Sequence, residues 1–448
     1  MPIASAAVTP PRSTDREILA LALPAMAALA AEPLYEITDV AILGHLGTAT
    51  LAGAVIATNL LLLGSAVFIF LMFGTTAAVS RLLGAGRVDQ ATRHGIGGMW
   101  MGAGLGVVVA AVMALLGPTL IGWWGGTGAT AAAALTYFEV SLIGYPAVLL
   151  VMAGTGYVRG TGNTRTPLAI AVVTVAGNLV LELVLIYGLG FGVGASAAAT
   201  VVAKWAGAGA YLVIVVGAAR RRTVSLRPDR SALAQLSATG WPLFVRTAVL
   251  RGTVAASVAL AARLGPVAVA GYGLAFTIWS FLAYVADGLE VAGQVLVGRR
   301  LGASDEGGAR SVGNRILRMA LAIGVVAFVA VMVLRKALPH LFTADPAVIA
   351  VTVSSLWWVA VAQPVNALTF SLDGILVGAG DLRFLAAAMV GAAMLVTPLG
   401  IAIAAVGAPL WCIWVAMLTF MGARLVSLGV RYRGRRWVRT GAVSGSSS

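Results

Sequence analysis

The sequence predicts an all-α integral membrane protein with twelve transmembrane helices in two six-helix lobes related by a parallel internal repeat. Composition, the number of long apolar runs and self-similarity at one offset predict it. Of 448 residues, 60% are hydrophobic and 10% charged, and the mean hydropathy is +0.96. Soluble domains carry about 25% charged residues, so the solvent for most of this chain is lipid. The single cysteine, Cys412, excludes an internal disulfide and a cysteine metal cluster. The leader Met1–Arg12 is Ala/Pro-rich and weakly charged, unlike a cleavable signal peptide.

Runs long enough to span lipid, about 20 residues each, fall at 17–40, 51–78, 95–117, 131–157, 166–188, 194–218, 241–262, 268–296, 315–335, 348–376, 384–405 and 408–430. Basic residues then orient them. With the N-terminus inside, 24 of the 30 Lys and Arg residues, Arg81, Arg159, Arg299 and Arg424 among them, fall on the inner side. This satisfies the positive-inside rule with both termini cytoplasmic, in a bacterial inner membrane. The net charge of +14 thus reports topology, and nucleic acid is not an expected partner.

A shift of 218 residues lays Pro24 on Pro242, Leu46-Gly47 on Leu264-Gly265, Arg81 on Arg299, Pro146 on Pro364, and Gly160, Gly162 and Arg165 on Gly378, Gly380 and Arg383. The chain therefore divides into a cytoplasmic segment 1–16, an N-lobe 17–218, an Arg-rich linker 219–240, a C-lobe 241–430 and a basic tail 431–448, of which Gly441–Ser448 reads as linker. Six helices is an even number, so both halves enter the membrane in the same sense. Such repeats place a substrate path between the halves.

Several chemistries are excluded. There is no G-x-x-x-x-G-K-[ST] loop, and Gly160-Thr-Gly-Asn163 reads as a connecting turn. His45, His94 and His340 are widely spaced and near loops, which argues against a metal site. No nucleophile–base arrangement is recognisable, so the chain is not expected to be an enzyme.

Intramembrane ionisable groups remain, and each marks a functional-site hypothesis. Glu32, Glu36 and Asp39 share one helical face, with Pro24 and Pro33 able to bend the helix. Asn178 and Glu182 are four apart on one face, and Thr200 and Asp39 stand at comparable depth. An acid, an amide and a hydroxyl there suit a small hard cation or a proton relay. Glu139 reads as interfacial. In the second half, Asp287, Glu290 and Asp373 with Arg246 and Arg251 read as a structural ion-pair network, with a gating or substrate role as the alternative. Under the 218-residue shift Asp39 falls on Ser257, so the acid belongs to one half only.

Pro24 with Asp39-Val-Ala-Ile-Leu-Gly-His-Leu-Gly47, Arg159-Gly-Thr-Gly-Asn-Thr-Arg165, Asp287-Gly288 and Asp373-Gly-Ile-Leu-Val-Gly-Ala-Gly-Asp381 together resemble the multidrug and toxic compound extrusion (MATE) transporters, DinF branch, over residues 15–430. The resemblance implies two lobes around a V-shaped cavity. It also implies export of amphipathic, often cationic compounds by exchange for H⁺ or Na⁺, with no other cofactor, in a monomer embedded in the bilayer. It carries the branch's ion-coupling site to Asp39, Asn178, Glu182 and Thr200, where Glu182 replaces the usual Asp and a Na⁺ would bind if Na⁺ is the ion. Tyr35 and Tyr137 match family positions near that pocket, and Glu32, Glu36, Asp287, Glu290 and Asp373 are further cavity candidates. The carboxylate that NorM-type members use in the C-lobe does not match Asp373 in spacing. The alternatives are a flippase for a lipid-linked precursor on a related fold, which would need a cationic cavity, and more distantly a membrane-embedded enzyme or a channel.

Overall fold

The computed structural model describes residues 14–441; for residues 32–38, 40 and 41 it describes the backbone alone. The leader Met1–Arg12, the tail beyond Gly441 and the side chains of Glu32, Tyr35 and Glu36 lie outside that description. Among the described residues every regular element is helical. In chain order these are α1 (Thr14–Gly44), α2 (Thr48–Ala66), α3 (Phe70–Gly84), α4 (Val88–Trp123), α5 (Gly128–Leu142), α6 (Tyr145–Gly160), α7 (Arg165–Leu183), α8 (Val193–Arg221), α9 (Arg230–Arg263), α10 (Pro266–Gly302), α11 (Glu306–Leu334), α12 (Pro346–Gly378), α13 (Leu382–Val406) and α14 (Trp411–Arg433). A 3-10 turn at Val67–Ile69 joins α2 to α3, which together make one 37-residue span. Ten stretches are long and apolar enough to cross a membrane, and α5 with α6, bent by 49°, makes an eleventh. Twelve spans are expected; α1, 31 residues long, is not among the stretches that qualify by length and composition in the described residues.

The helices exceed the apolar runs because polar ends extend beyond lipid. The third span, expected over 95–117, runs through Val88–Trp123 with Pro118 in its last turns. α8 continues to Arg221 and α9 begins at Arg230, so only eight residues of the Arg-rich stretch stand outside helix. α1 runs unbroken through Pro24 and Pro33. Asp229, Asp305 and Asp345 cap the N-termini of α9, α11 and α12, each accepting a backbone N–H near the start of its helix. Gly162 and Gly380, equivalent under the 218-residue shift, both take positive φ (83° and 75°) just after α6 and α12, the left-handed turn that ends a helix.

Packing rests on small residues. In Gly374-Ile-Leu-Val-Gly378 of α12, a Cβ at Gly374 would meet the backbone of Glu290, and one at Gly378 would lie 2.6 Å from the Gln294 carbonyl oxygen, both on α10. Two backbones approach this closely only across glycine, the association rule of helices in lipid.

The buried side chains form four clusters. One holds Leu43, Phe138, Tyr145 and Ala197 of the N-lobe, a second Tyr272, Leu356, Met389 and Phe420 of the C-lobe, and a third Val79, Leu150, Ala208 and Tyr211 of the N-lobe. Only the fourth mixes lobes: Ile18, Leu21, Ala22 and Ala77 pack with Leu243, Leu289, Leu296, Ile375 and Leu428. Those N-lobe residues lie toward the beginning of α1 and the end of α3, so the lobes share a core at the face that carries both described chain ends. The other three clusters each stay within one lobe, which gives the two-lobe arrangement.

The glycine contact is testable. Gly374→Ala forces a methyl into the α10 backbone, and overpacking of this kind costs about 1–3 kcal/mol. It should lower the unfolding midpoint in detergent, whereas Gly391→Ala, with no atom within 4 Å of the new methyl, should leave it unchanged or slightly raised.

Candidate functional site

Four N-lobe helices converge on Asp39. It stands near the end of α1 and is 5% exposed. Its Oδ1 accepts from Ser196 Oγ of α8 at 2.9 Å, and its Oδ2 from Tyr137 Oη of α5 at 3.5 Å. One helical turn beyond Ser196, Thr200 accepts from Asn178 Nδ2 of α7 at 3.3 Å and donates to the Ser196 carbonyl at 3.1 Å. Glu182, one turn from Asn178, is 1% exposed and stands beside Asp39 and Ser196. Among the described residues neither of its carboxylate oxygens meets a donor with full hydrogen-bond geometry, and Asn178 Oδ1 also lacks one.

The structure thus brings Asp39, Asn178, Glu182 and Thr200 together, with Tyr137 against Asp39. Ser196 went unnoticed in the sequence. The signal was its place one turn before Thr200, but serine in an Ala-rich helix ordinarily reads as packing. Glu139, on the same helix as Tyr137, is exposed and apart from the group. Asp39, Tyr137 and Thr200 border a cavity of about 250 Å³ that also touches Thr58, Asn59, Ser141, Tyr145 and Lys204. Under the 218-residue shift, Asp39, Asn178 and Glu182 correspond to Ser257, Val396 and Gly400, which line a C-lobe cavity of about 660 Å³. The two linings correspond under the shift only at Asp39 and Ser257, and the C-lobe positions equivalent to the two acids carry none.

The C-lobe ionisable groups lie elsewhere and pair differently. Asp373, 1% exposed, accepts from Arg246 of α9 at 2.7 Å and from Arg424 of α14. Glu290 lies 3.9 Å from Arg246 and accepts from Gln294 at 3.3 Å. Arg424, counted among the cytoplasmic charges from sequence, is 1% exposed inside α14; its proximity to the chain's basic end hid it. Arg251, expected in this network, is exposed and makes no ion pair among the described residues. Arg81 and Arg159, also assigned to loops, are buried at helix ends, where lipid gives way to packed backbone. His94, expected near a loop, lies within α4 and shares a hydrogen bond with Gln235 of α9 at 2.9 Å.

With this geometry the comparisons are decisive. The MatE family model matches residues 24–184 and 242–402, two stretches related by the same 218-residue offset. The chain belongs to the MatE family. It is similar to Protein DETOXIFICATION 44, chloroplastic, of Arabidopsis thaliana, with 30% identity over 92% of this chain and 81% of that protein. It is also similar to DNA damage-inducible protein F of Escherichia coli K12, with 25% identity over 95% and 93%, which fits the DinF resemblance. A solved outward-facing multidrug resistance MATE transporter of the MOP superfamily superposes with a TM-score of 0.85 at 20% identity, covering 94% of this chain and 95% of that one. This chain therefore has the fold of MATE multidrug efflux transporters, whose members are transporters of small molecules and not enzymes.

The two groups of acids predict opposite responses to neutralisation. Asp373→Asn leaves Arg246 and Arg424 without their shared carboxylate, and breaking a buried pair costs about 3–5 kcal/mol. Asp39→Asn keeps a side chain that Ser196 and Tyr137 can still bond, with a cost near 1 kcal/mol. Denaturant unfolding in detergent should show a large loss for the first substitution and a small one for the second.

Proposed function

We propose that this protein is a cation-coupled antiporter that exports amphipathic, often cationic compounds, with Asp39, Asn178, Glu182 and Thr200 as the ion-coupling site and Ser196 and Tyr137 holding Asp39. The observation that carries the reading is the setting of Glu182: a buried carboxyl placed directly beside a second acid, Asp39, with no arginine or lysine paired to either among the described ion pairs. An unpaired carboxylate is costly in an apolar interior, so this pair needs a proton or a bound cation as counter-charge. Two carboxyls, an amide oxygen and two hydroxyls supply only hard oxygen donors, which suit H⁺ transfer or Na⁺ equally. Asp373 differs because arginine already neutralises it, so it has no comparable need of an exchangeable ion. The family's multidrug members support the substrate class, and the N-lobe cavity beside Asp39, lined by Leu51, Leu61 and Leu62 with Tyr137 and Tyr145, suits molecules that carry both charge and hydrocarbon.

In this reading the terminus-bearing face is cytoplasmic, by the distribution of Lys and Arg, and the protein works as a monomer in the bacterial inner membrane. A coupling ion and a drug that favour different lobe arrangements drive each other's transport, because each ligand shifts the equilibrium by its differential affinity. Tyr35, Glu32 and Glu36, on the helix that carries Asp39, are proposed to line the cavity. Asp287 and Glu290 lie on α10 beside the interlobe contact and are proposed as gating or cavity residues.

Dye efflux from proteoliposomes under separately imposed H⁺ and Na⁺ gradients tests this. The wild type should respond to one gradient, and Asp39→Asn and Glu182→Gln should each reduce gradient-driven efflux by about tenfold or more while the protein stays folded. Undiminished efflux by both variants would remove this site from coupling, and wild-type efflux that ignores both gradients would end the antiporter reading.

A further inference from the structure

At the terminus-bearing face, each lobe reaches across and caps a helix of the other. Arg81, at the end of α3, donates through Nη1 to the carbonyl of Ala379, the residue that ends α12. Arg299, on α10, donates through Nη2 at 3.0 Å to the carbonyl of Thr161, the residue that ends α6. The shift of 218 residues converts one contact into the other, arginine onto arginine and acceptor onto acceptor. The chemistry suits the place: the last carbonyls of a helix lack intrahelical donors and carry the negative end of its dipole. Between the arginines, α3 and α10 cross in backbone contact. A Cβ at Gly84 would strike the Arg299 carbonyl and one at Gly302 the Arg81 carbonyl, again a pair related by the same shift.

The symmetry fails at one point. Arg299 makes its bond to Thr161 alone among the described hydrogen bonds, whereas Arg81 also donates through Nε to the Gly441 carbonyl at 2.9 Å and through Nη2 to the Arg439 carbonyl. Residues 434–441 belong in sequence to the C-lobe and are seated on it. Trp437 is fully buried, donates to the Tyr432 carbonyl at 2.7 Å and stacks on the Tyr432 ring at 5.0 Å. Arg310 lies over the Trp437 ring at 5.5 Å and donates to the Gly434 carbonyl at 2.7 Å. Beyond Trp437 the backbone turns onto the gate, where Gly441 N–H donates to the Leu301 carbonyl at 3.2 Å. Among the described residues no N-lobe segment is hydrogen-bonded to Arg299 in the corresponding way.

We propose that residues 434–441 are a latch that holds the lobes closed at this face, Trp437 being its anchor and the 439 and 441 carbonyls the catch that takes Arg81. The latch biases the transporter toward the arrangement open on the opposite face, and releasing it weakens one arm of a gate whose other arm, Arg299, has no such support. The regulatory meaning rests on the transport reading above; the latch itself does not.

The experiment reads gate opening directly. Spin labels at Gln90→Cys and Glu306→Cys, exposed positions in the first turns of α4 and α11, are placed in a Cys412→Ser background. The distance distribution is recorded by pulsed dipolar spectroscopy in nanodiscs without drug or ion gradient. Two charge-assisted hydrogen bonds are removed with the strap, so deletion of 435–448 should raise the ratio of long to short distances about tenfold. Because the deletion also removes buried Trp437, a three-glycine insertion after Val438, which leaves the anchor seated, should give the same direction of shift. Arg81→Gln should open the gate at least as far. In that background the insertion should add nothing, whereas in Arg299→Gln it should add its full effect. An insertion that leaves the distances of a folded protein unchanged, or that shifts Arg81→Gln as much as wild type, overturns the latch. Efflux measured on the same variants separates the two readings. Distances that move in a protein whose efflux ignores both gradients uphold the latch and defeat the antiporter. Gradient-driven efflux with unmoved distances does the reverse.

Discussion

The crossing of α3 and α10 at Gly84 and Gly302 is the contact on which the rest of the molecule depends. Helices in lipid gain nothing from hiding apolar surface from apolar solvent, so association rests on close packing and on polar contacts between chains. Glycine at both positions lets two backbones meet where Ala would already collide, and that approach brings Arg81 and Arg299 within reach of carbonyls in the opposite lobe. The mixed core of α1, α3, α10 and α12 surrounds this point. Away from it the lobes keep separate cores.

Charge within the lobes follows a second logic. In the C-lobe, Asp373 is neutralised by Arg246 and Arg424 and Glu290 lies against Arg246, so the cluster ties α9, α10, α12 and α14 together. In the N-lobe, Asp39 is held by hydroxyls and Glu182 stands beside it with no arginine or lysine paired to either among the described ion pairs. The first arrangement resists change of charge and the second invites it. One repeated scaffold thus holds an arginine-paired ion cluster in one half and two adjacent buried acids in the other, with Ser257 and Gly400 at the C-lobe positions equivalent to Asp39 and Glu182.

The helical architecture, the repeat and the pairing of Asn178 with Glu182 were legible in the chain because each rests on local order, whereas the grouping of Asp39 and Thr200 with that pair came from the resemblance to the DinF branch. Apolar run length, a gap-free offset and i, i+4 spacing survive without knowledge of tertiary contacts. Ser196 was not legible, since a hydroxyl in Gly194-Ala-Ser-Ala-Ala-Ala-Thr200 becomes a ligand only when α1 arrives beside it. Arg424 was misassigned for the same reason. Its neighbours in sequence are the arginines of the basic tail, whereas its neighbour in space is Asp373, 51 residues away.

By itself, then, the sequence determined the spans, their alternation, the two-fold repeat and the confinement of the acid pair to one half, because lipid imposes length and polarity on every helix separately. Tertiary structure alone decided which charges pair and which stand open, and how the lobes grip each other. It also decided that the basic tail folds back over Arg81. Those outcomes depend on backbone carbonyls, which every residue carries and no sequence pattern marks, so they exist only once the helices have docked.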